Sequence, residues 1–185
     1  NMRITGGDAR GQPLKAPKSR LTRPTTDMVR SAMFSLLAGV TDWSRVLDLF
    51  AGSGALGIEA LSRGAGWADF VDQQPQACAI IKDNLRKTGL AERAHVYCAG
   101  VNSALGFLEG HYNVVFMDPP YAQSQVIITV LKQLAGSNLL TEGSCVAVCH
   151  ASRSPLETGI DGLAILKQRR YGDTTVTILR KETRT

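Results

Sequence analysis

Five short, almost unbroken apolar runs recur along the chain: 45-RVLDLF-50, 67-WADFV-71, 94-AHVYC-98, 112-YNVVFM-117 and 144-SCVAVCH-150. Runs of this kind predict strands buried on both faces, as in a parallel sheet. Helical segments fall between them, near 55–63, 75–88, 102–108 and 124–135, and another at 26–38 precedes the first strand. Thr25 or Thr26 suits the N-cap of that first helix, and Pro75 suits the first turn of a later one. The tail, 163-LAILKQRRYGDTTVTILRK-181, reads as two strands around a Gly-Asp turn, hence an antiparallel hairpin at the sheet edge. Alternation of strand and helix in one continuous run predicts an α/β fold built on a doubly wound parallel sheet.

Composition leaves this picture intact. The 185 residues suffice for one domain with an appendage, and 44% hydrophobic with 20% charged residues is ordinary for a globular chain. No apolar run approaches the ~20 residues of a membrane span, and no signal peptide opens the chain, so the expected location is cytoplasmic. Cys78, Cys98, Cys145 and Cys149 lack paired metal spacing and each lies in or beside an apolar segment. They are expected to be buried, reduced thiols, and no metal is expected; a ligand cluster of Cys145, Cys149 and His150 is the weaker reading.

Charge adds a boundary. Residues 1–30 hold seven basic side chains against two acids, a surplus of five that equals the net charge of the whole chain. That bias marks off a small basic extension, 1–25, from the α/β domain expected over 26–185. A basic extension suits a protein gripping a polyanion. A solvated arm without function is the plain alternative.

The first predicted strand runs into 48-DLFAGSGALG-57, where Gly52, Gly54 and Gly57 fit the dinucleotide fingerprint and Asp72 follows Gly52 by twenty residues. Alone, this favours a nicotinamide or flavin enzyme. Asp48 argues otherwise, because a carboxylate aimed at the glycine turn repels a pyrophosphate placed there. It welcomes a ligand bearing an ammonium group, such as the methionine part of S-adenosylmethionine, while Asp72 can accept both ribose hydroxyls under either reading. A simpler role for Asp48, capping the loop through backbone N–H groups, fits both ligands.

A second motif lies in 115-VFMDPPYA-122. Proline after Asp118 forces that acid into extended backbone at the carboxyl end of a strand, and the Pro-Pro pair stiffens the next few backbone atoms. Such a loop offers a flat polar ligand a carboxylate, a fixed carbonyl and an aromatic face. With the glycine turn, 118-DPPY-121 resembles the class I S-adenosylmethionine-dependent methyltransferases that modify exocyclic amines of bases. The flanks 2-MRITGGDARGQPL-14, 22-TRPTTDMVRSAMFSLL-37, 57-GIEALSRGA-65 and 171-YGDTT-175 resemble the RsmD-type enzymes, which make N2-methylguanine in small-subunit ribosomal RNA.

The resemblance implies a Rossmann-like seven-stranded sheet with its last strand antiparallel. It implies S-adenosylmethionine as cofactor, with Asp48, Phe50, Gly52, Ser53 and Gly54 around the methionine part and Asp72 at the ribose. Gly100, Arg23 and Thr25 complete the cofactor pocket in the same way. The segment 98-CAGVN-102 lacks the acid that many relatives place near the adenine amine, leaving backbone groups at Gly100 or the Asn102 side chain for that task. Asp118, Pro119, Pro120 and Tyr121 form the implied catalytic loop, with Tyr121 stacking on the base or only plugging the pocket mouth.

Arg10, Lys15, Lys18, Arg20 and Arg23, with Arg169 and Arg170 near the tail, are the expected RNA contacts. The expected partner is small-subunit ribosomal RNA, naked or in an assembling particle, and the expected state is a monomer. An amino-methyltransferase of DNA bases or protein glutamine is the second reading and an NAD-dependent oxidoreductase the third. The absence of a long target-recognition insertion favours RNA, which is selected by shape.

Overall fold

The computed structural model describes residues 2–18, 25–123, 125–156 and 159–183. Strands β1 (Met2–Arg3) and β2 (Pro13–Leu14) form a small antiparallel pair, followed by helix α1 (Asp27–Leu37). Then come β3 (Val46–Leu49), α2 (Ala55–Ser62), β4 (Ala68–Asp72), α3 (Pro75–Lys87), β5 (Ala94–Cys98), α4 (Val101–Phe107), β6 (Val114–Met117), α5 (Val126–Ala135) and β7 (Cys145–Ala151). A hairpin of β8 (Leu163–Tyr171) and β9 (Thr174–Lys181) comes last.

The large sheet has seven strands in the order β5-β4-β3-β6-β7-β9-β8. Neighbours from β5 to β7 run parallel, and β9 inserts antiparallel between β7 and β8. This is the doubly wound sheet with an antiparallel last strand that the sequence leads one to expect. The chain switches direction between β3 and β6, which pair directly through Asp48↔Phe116 and Leu49↔Met117. Strand ends at such a switch point open a crevice.

Alternate residues of each strand feed two cores. One face packs Val46, Phe70, Val114 and Phe116 under α1, α2 and α3, through residues such as Met33, Leu37, Ile58 and Ile81. The other packs Leu47, Leu49, Val115 and Met117 under α4 and α5, through Ala104, Val130 and Leu134. Helix starts obey local chemistry. Thr26 caps α1, its hydroxyl accepting the Val29 N–H at 3.2 Å, and Pro75 sits in the first turn of α3.

One element escaped the sequence reading. Residues 2–14 are folded onto α2, with Ile4, Ala9 and Leu14 buried. Glu59, wholly buried in the middle of α2, accepts the Thr5 N–H at 2.9 Å, the Thr5 hydroxyl at 3.0 Å and the Gly6 N–H at 2.8 Å. Its carboxylate also meets Arg30 Nε at 3.0 Å and Arg63 Nε at 2.8 Å. Burial opposes the charge on Glu59, but the Thr5 N–H, Arg63 and Arg30 outweigh it and hold the carboxyl below its ordinary value. Ser62 clamps the same segment, donating to the Gly6 carbonyl at 2.7 Å and accepting the Ala9 N–H at 2.9 Å. Gly7, at φ +80°, is required here, because a side chain would start 1.9 Å from the Ser62 carbonyl oxygen.

The expectation that all four cysteines are buried needs one correction. Cys78, Cys145 and Cys149 are buried, but Cys98, the last residue of the edge strand β5, is exposed.

Candidate active site

The β3–α2 turn gathers the first half of the site. Phe50 adopts φ +56°, and Gly52 and Gly54 take +60° and +79°, so the chain reverses within five residues and α2 starts at Ala55. A side chain on Gly52 would meet no atom within 4 Å, so glycine there leaves open space. Gly57 is glycine for another reason: a Cβ would lie 2.4 Å from the Phe70 ring. Asp48 is buried beneath the turn and accepts the Gly57 N–H at 3.0 Å. Burial above all, with the neighbouring Asp118 and Asp72 charges, raises its carboxyl well above the ordinary range.

Asp72, at the end of β4, braces the turn from the side. Its carboxylate accepts the Gly52 N–H and the Gln74 N–H, each at 2.9 Å. Gly100 sits at the N-cap of α4, just past β5, and the Ala99 N–H beside it donates to the Asp72 carbonyl at 3.0 Å. Asn102 Oδ1 instead accepts from Gln133 at 2.5 Å.

Asp118 stands immediately after β6, beside the glycine turn. The Thr25 hydroxyl donates to its Oδ2. Part of the residue faces open space, yet protein atoms crowd the carboxyl, and loss of hydration pushes it up to about 7. Behind it lies Cys149 of β7, a buried thiol pushed well above its ordinary value by burial and then by the Asp118 and Asp48 carboxyls. That environment keeps the thiol protonated and inert. His150 spends its nitrogens on the Ala151 and Ser154 carbonyls and the Thr177 hydroxyl, the last at 2.8 Å.

Two cavities meet at Asp118 and Thr25. The larger, about 280 Å³, is lined by Asp48, Phe50, Gly52 and Ser53 on one side and by Met2, Ala16, Pro17 and Lys18 on the other. The smaller, about 120 Å³, lies between Pro119–Tyr121, the start of α1 at Thr26, Met28 and Val29, and the β8–β9 turn at Tyr171, Asp173 and Thr174. Tyr121 is tied to that turn, its hydroxyl 2.5 Å from Thr174 Oγ1.

The structure therefore draws Asp48, Phe50, Gly52, Ser53, Thr25 and Asp118 around one crevice, with Pro119, Pro120 and Tyr121 around the adjoining one. Gly54, Asp72 and Gly100 line neither cavity directly. Among the basic candidates, Arg10, Arg169 and Arg170 are exposed, Lys18 lines the larger cavity, and Lys15 pairs with Asp83 at 2.8 Å. Arg20 and Arg23 lie outside the described residues. The amino-terminal segment around Met2 and Ala16 and the β8–β9 turn were missed as walls. The YGDTT motif marks the second, but nothing local says that it faces Tyr121.

The residues suit S-adenosylmethionine. A buried Asp48 with no ion-pair partner among the described residues lies beside the larger cavity, a place that suits a cationic amino-acid moiety able to offset the desolvation of its charged form. Asp72, bonded to the Gly52 and Gln74 N–H groups, keeps further lone pairs at the side of the turn.

A glycine turn after the first strand of the parallel series, an acid ending the second and Asp-Pro-Pro-Tyr ending the fourth, on this strand order, define a Rossmann-like methyltransferase. Comparison with known proteins narrows the class. The family described as "Conserved hypothetical protein 95" matches residues 2–180, and the chain belongs to that family. It is 36% identical over 183 residues to "Putative rRNA methyltransferase YlbH" of Bacillus subtilis, covering 97% of this chain and 99% of that protein. It is 40% identical over 129 residues to "Ribosomal RNA small subunit methyltransferase D" of Escherichia coli, covering 70% of this chain and 65% of that protein. Among solved structures, "Putative methyltransferase yhhF from Escherichia coli" superposes with a TM-score of 0.86 at 31% identity, over 98% of each chain.

Proposed function

We propose that this methyltransferase transfers a methyl group from S-adenosylmethionine to the exocyclic N2 amine of a guanine in small-subunit ribosomal RNA. The observation that carries the reading is the meeting of two cavities at Asp118, one beside the glycine turn and one against Tyr121. A cofactor in the first and a base in the second face each other across a single carboxyl group. The names borne by the relatives support ribosomal RNA as the substrate, and that substrate puts the reaction in the cytoplasm.

When bound, the cofactor supplies an electrophilic methyl group. The chain's own residues do the rest. The N2 amine of guanine is a poor nucleophile because its lone pair is delocalised into the ring. Asp118 and the Pro119 carbonyl accept its two N–H bonds, draw the nitrogen out of conjugation and aim it at the larger cavity. Positive charge developing on that nitrogen meets a carboxylate already in place, and alignment of the two reactants supplies much of the remaining acceleration. Thr25 orients Asp118 through its hydrogen bond, and Tyr121 stacks on a base that has left its helix or loop.

Asp48, Phe50, Gly52, Ser53 and Gly54 hold the amino-acid end of the cofactor and Asp72 its ribose. Arg10, Lys18, Arg20, Arg23, Arg169 and Arg170 contact phosphates, with Lys15 shared between RNA and Asp83. The basic side chains within residues 2–18 act as one unit with the β1–β2 pair docked on α2.

Mass mapping of modified nucleotides in ribosomal RNA from a strain lacking this protein tests the reading. The expected result is loss of one N2-methylguanine from small-subunit RNA, restored by the wild-type protein and not by Asp118→Ala. An unchanged modification map overturns it.

A further inference from the structure

Asp173 occupies the tip of the β8–β9 hairpin, one of two residues between the paired Tyr171 and Thr174. Turns recruit aspartate so that its carboxylate can bond nearby backbone N–H groups. This one does not: the Asp173 side chain makes no hydrogen bond and no ion pair among the described residues, and only its backbone carbonyl is engaged, by the Ser152 N–H at 2.8 Å. The turn itself is supplied by Gly172 at φ +63°. The residue lines the smaller cavity together with Asp118, Pro119 and Pro120, and its neighbour Thr174 is fastened to Tyr121. It also borders an adjoining basin lined by Ser152, Arg153 and Arg170, where positive charge can receive the backbone of the same nucleotide.

Resting on the guanine-N2 reading above, we infer that Asp173 is a specificity-determining residue that accepts the N1–H of the target guanine from the hairpin side of the cavity it shares with Asp118. The chemistry selects that partner. Once the N2 amine is held by Asp118 and Pro119, the adjacent donor on the guanine edge is N1–H, and an unpaired carboxylate is an acceptor only. Adenine and cytosine present a bare ring nitrogen at the corresponding position, which faces the Asp173 carboxylate lone pair to lone pair. Two acids lining one cavity thus read two neighbouring donors on the same base edge, a pattern that guanine alone among adenine, cytosine and guanine offers. Uracil has an imino N–H but no amine to methylate.

The test uses ribosomal RNA carrying 2-aminopurine in place of the target guanine, assembled or naked as the enzyme requires. This base keeps the 2-amine and lacks only the N1 proton and the 6-oxo group. Wild-type protein is expected to methylate it roughly 10- to 100-fold less well than guanine, the discrimination typical of a good base-edge contact. Asp173→Asn, whose amide can donate to the bare nitrogen, is expected to narrow that ratio by at least several-fold while losing activity on guanine. Melting of Asp173→Asn and Asp173→Ala beside the wild type separates misfolding from altered selection. Equal wild-type rates on the two bases, or a ratio unchanged in Asp173→Asn, overturns the role of Asp173 and leaves the N2 reading standing. Absence of any methyl transfer to the guanine 2-amine overturns that underlying reading instead.

Discussion

Arg30 and Glu59 form an ion pair in which neither side chain has any solvent exposure, Nε to Oε1 at 3.0 Å. Arg30 also bonds the Arg3 carbonyl and Asp27, so one guanidinium joins β1, α1 and α2. Removing one member of a buried pair strands the other. Glu59→Ala is therefore expected to cost about 3–5 kcal/mol and to loosen residues 2–14, as measured by denaturant unfolding and by faster amide exchange at Ile4 and Gly6. Amide protection in that segment equal to wild type would show that apolar contacts alone hold it.

Asp118 sets the pH response. Its carboxyl is raised by burial to about 7, above its value in the unfolded chain. The group therefore favours folding at low pH, and this contribution is lost as pH climbs from about 4 through 7. Activity runs the other way, because only the ionised form is a full acceptor for the amine. The kcat/KM for the cofactor should therefore rise with pH toward about 7, while Asp118→Asn should be flat. Asp118→Ala should lose roughly 10²–10³-fold in turnover at saturating cofactor.

Cofactor binding should release protons. A cationic ligand beside Asp48 and Asp118 favours their charged forms and lowers both raised values. Calorimetry near pH 7 in buffers of different ionisation enthalpy should give binding heats that vary with the buffer. S-adenosylmethionine should bind and NADH should not. Buffer-independent heats would mean that neither acid titrates on binding.

Two glycines of one turn should fail in different ways. Gly57→Ala drives a methyl group into the Phe70 ring and should destabilise the fold by about 1–3 kcal/mol, the usual cost of overpacking. Gly52→Ala meets no atom, so its stability loss is limited to backbone strain of about 1–2 kcal/mol. Its cofactor affinity should fall further than that of Gly57→Ala. Melting curves and calorimetry on both variants check the contrast.

The RNA contacts should show in salt dependence. Replacing Arg10, Arg169 and Arg170 singly by alanine should each flatten the slope of log affinity against log salt by about 0.7. Lys15, already paired with Asp83, should change it less. Slopes equal to that of the wild type in all four variants would remove these side chains from the phosphate contacts.

Whatever depended on neighbouring residues was legible in the sequence. Apolar runs announced the parallel strands, Thr26 and Pro75 announced helix starts, and the proline after Asp118 placed that acid at a strand end. What joins distant segments was not. Glu59 sits between apolar neighbours in α2 with no local hint that its partners are Thr5 and Arg30. The Thr25–Asp118 bond links residues 93 positions apart, and Tyr121–Thr174 links residues 53 apart. The strands at 2–3 and 13–14 are too short to leave a periodic trace. Cys98 obeyed the apolar pattern of its strand, but β5 is an edge, so its last residue faces solvent.

The sheet order carries a consequence for synthesis. Asp48, the glycine turn, Asp72 and Asp118 are all translated before residue 119, whereas Tyr171, Asp173 and Thr174 belong to the hairpin that enters the sheet last. A nascent chain thus has every side chain of the larger cavity in hand while the smaller one still lacks its far wall. Insertion of β9 between β7 and β8 supplies that wall, so the smaller cavity is the last part of the crevice to be completed.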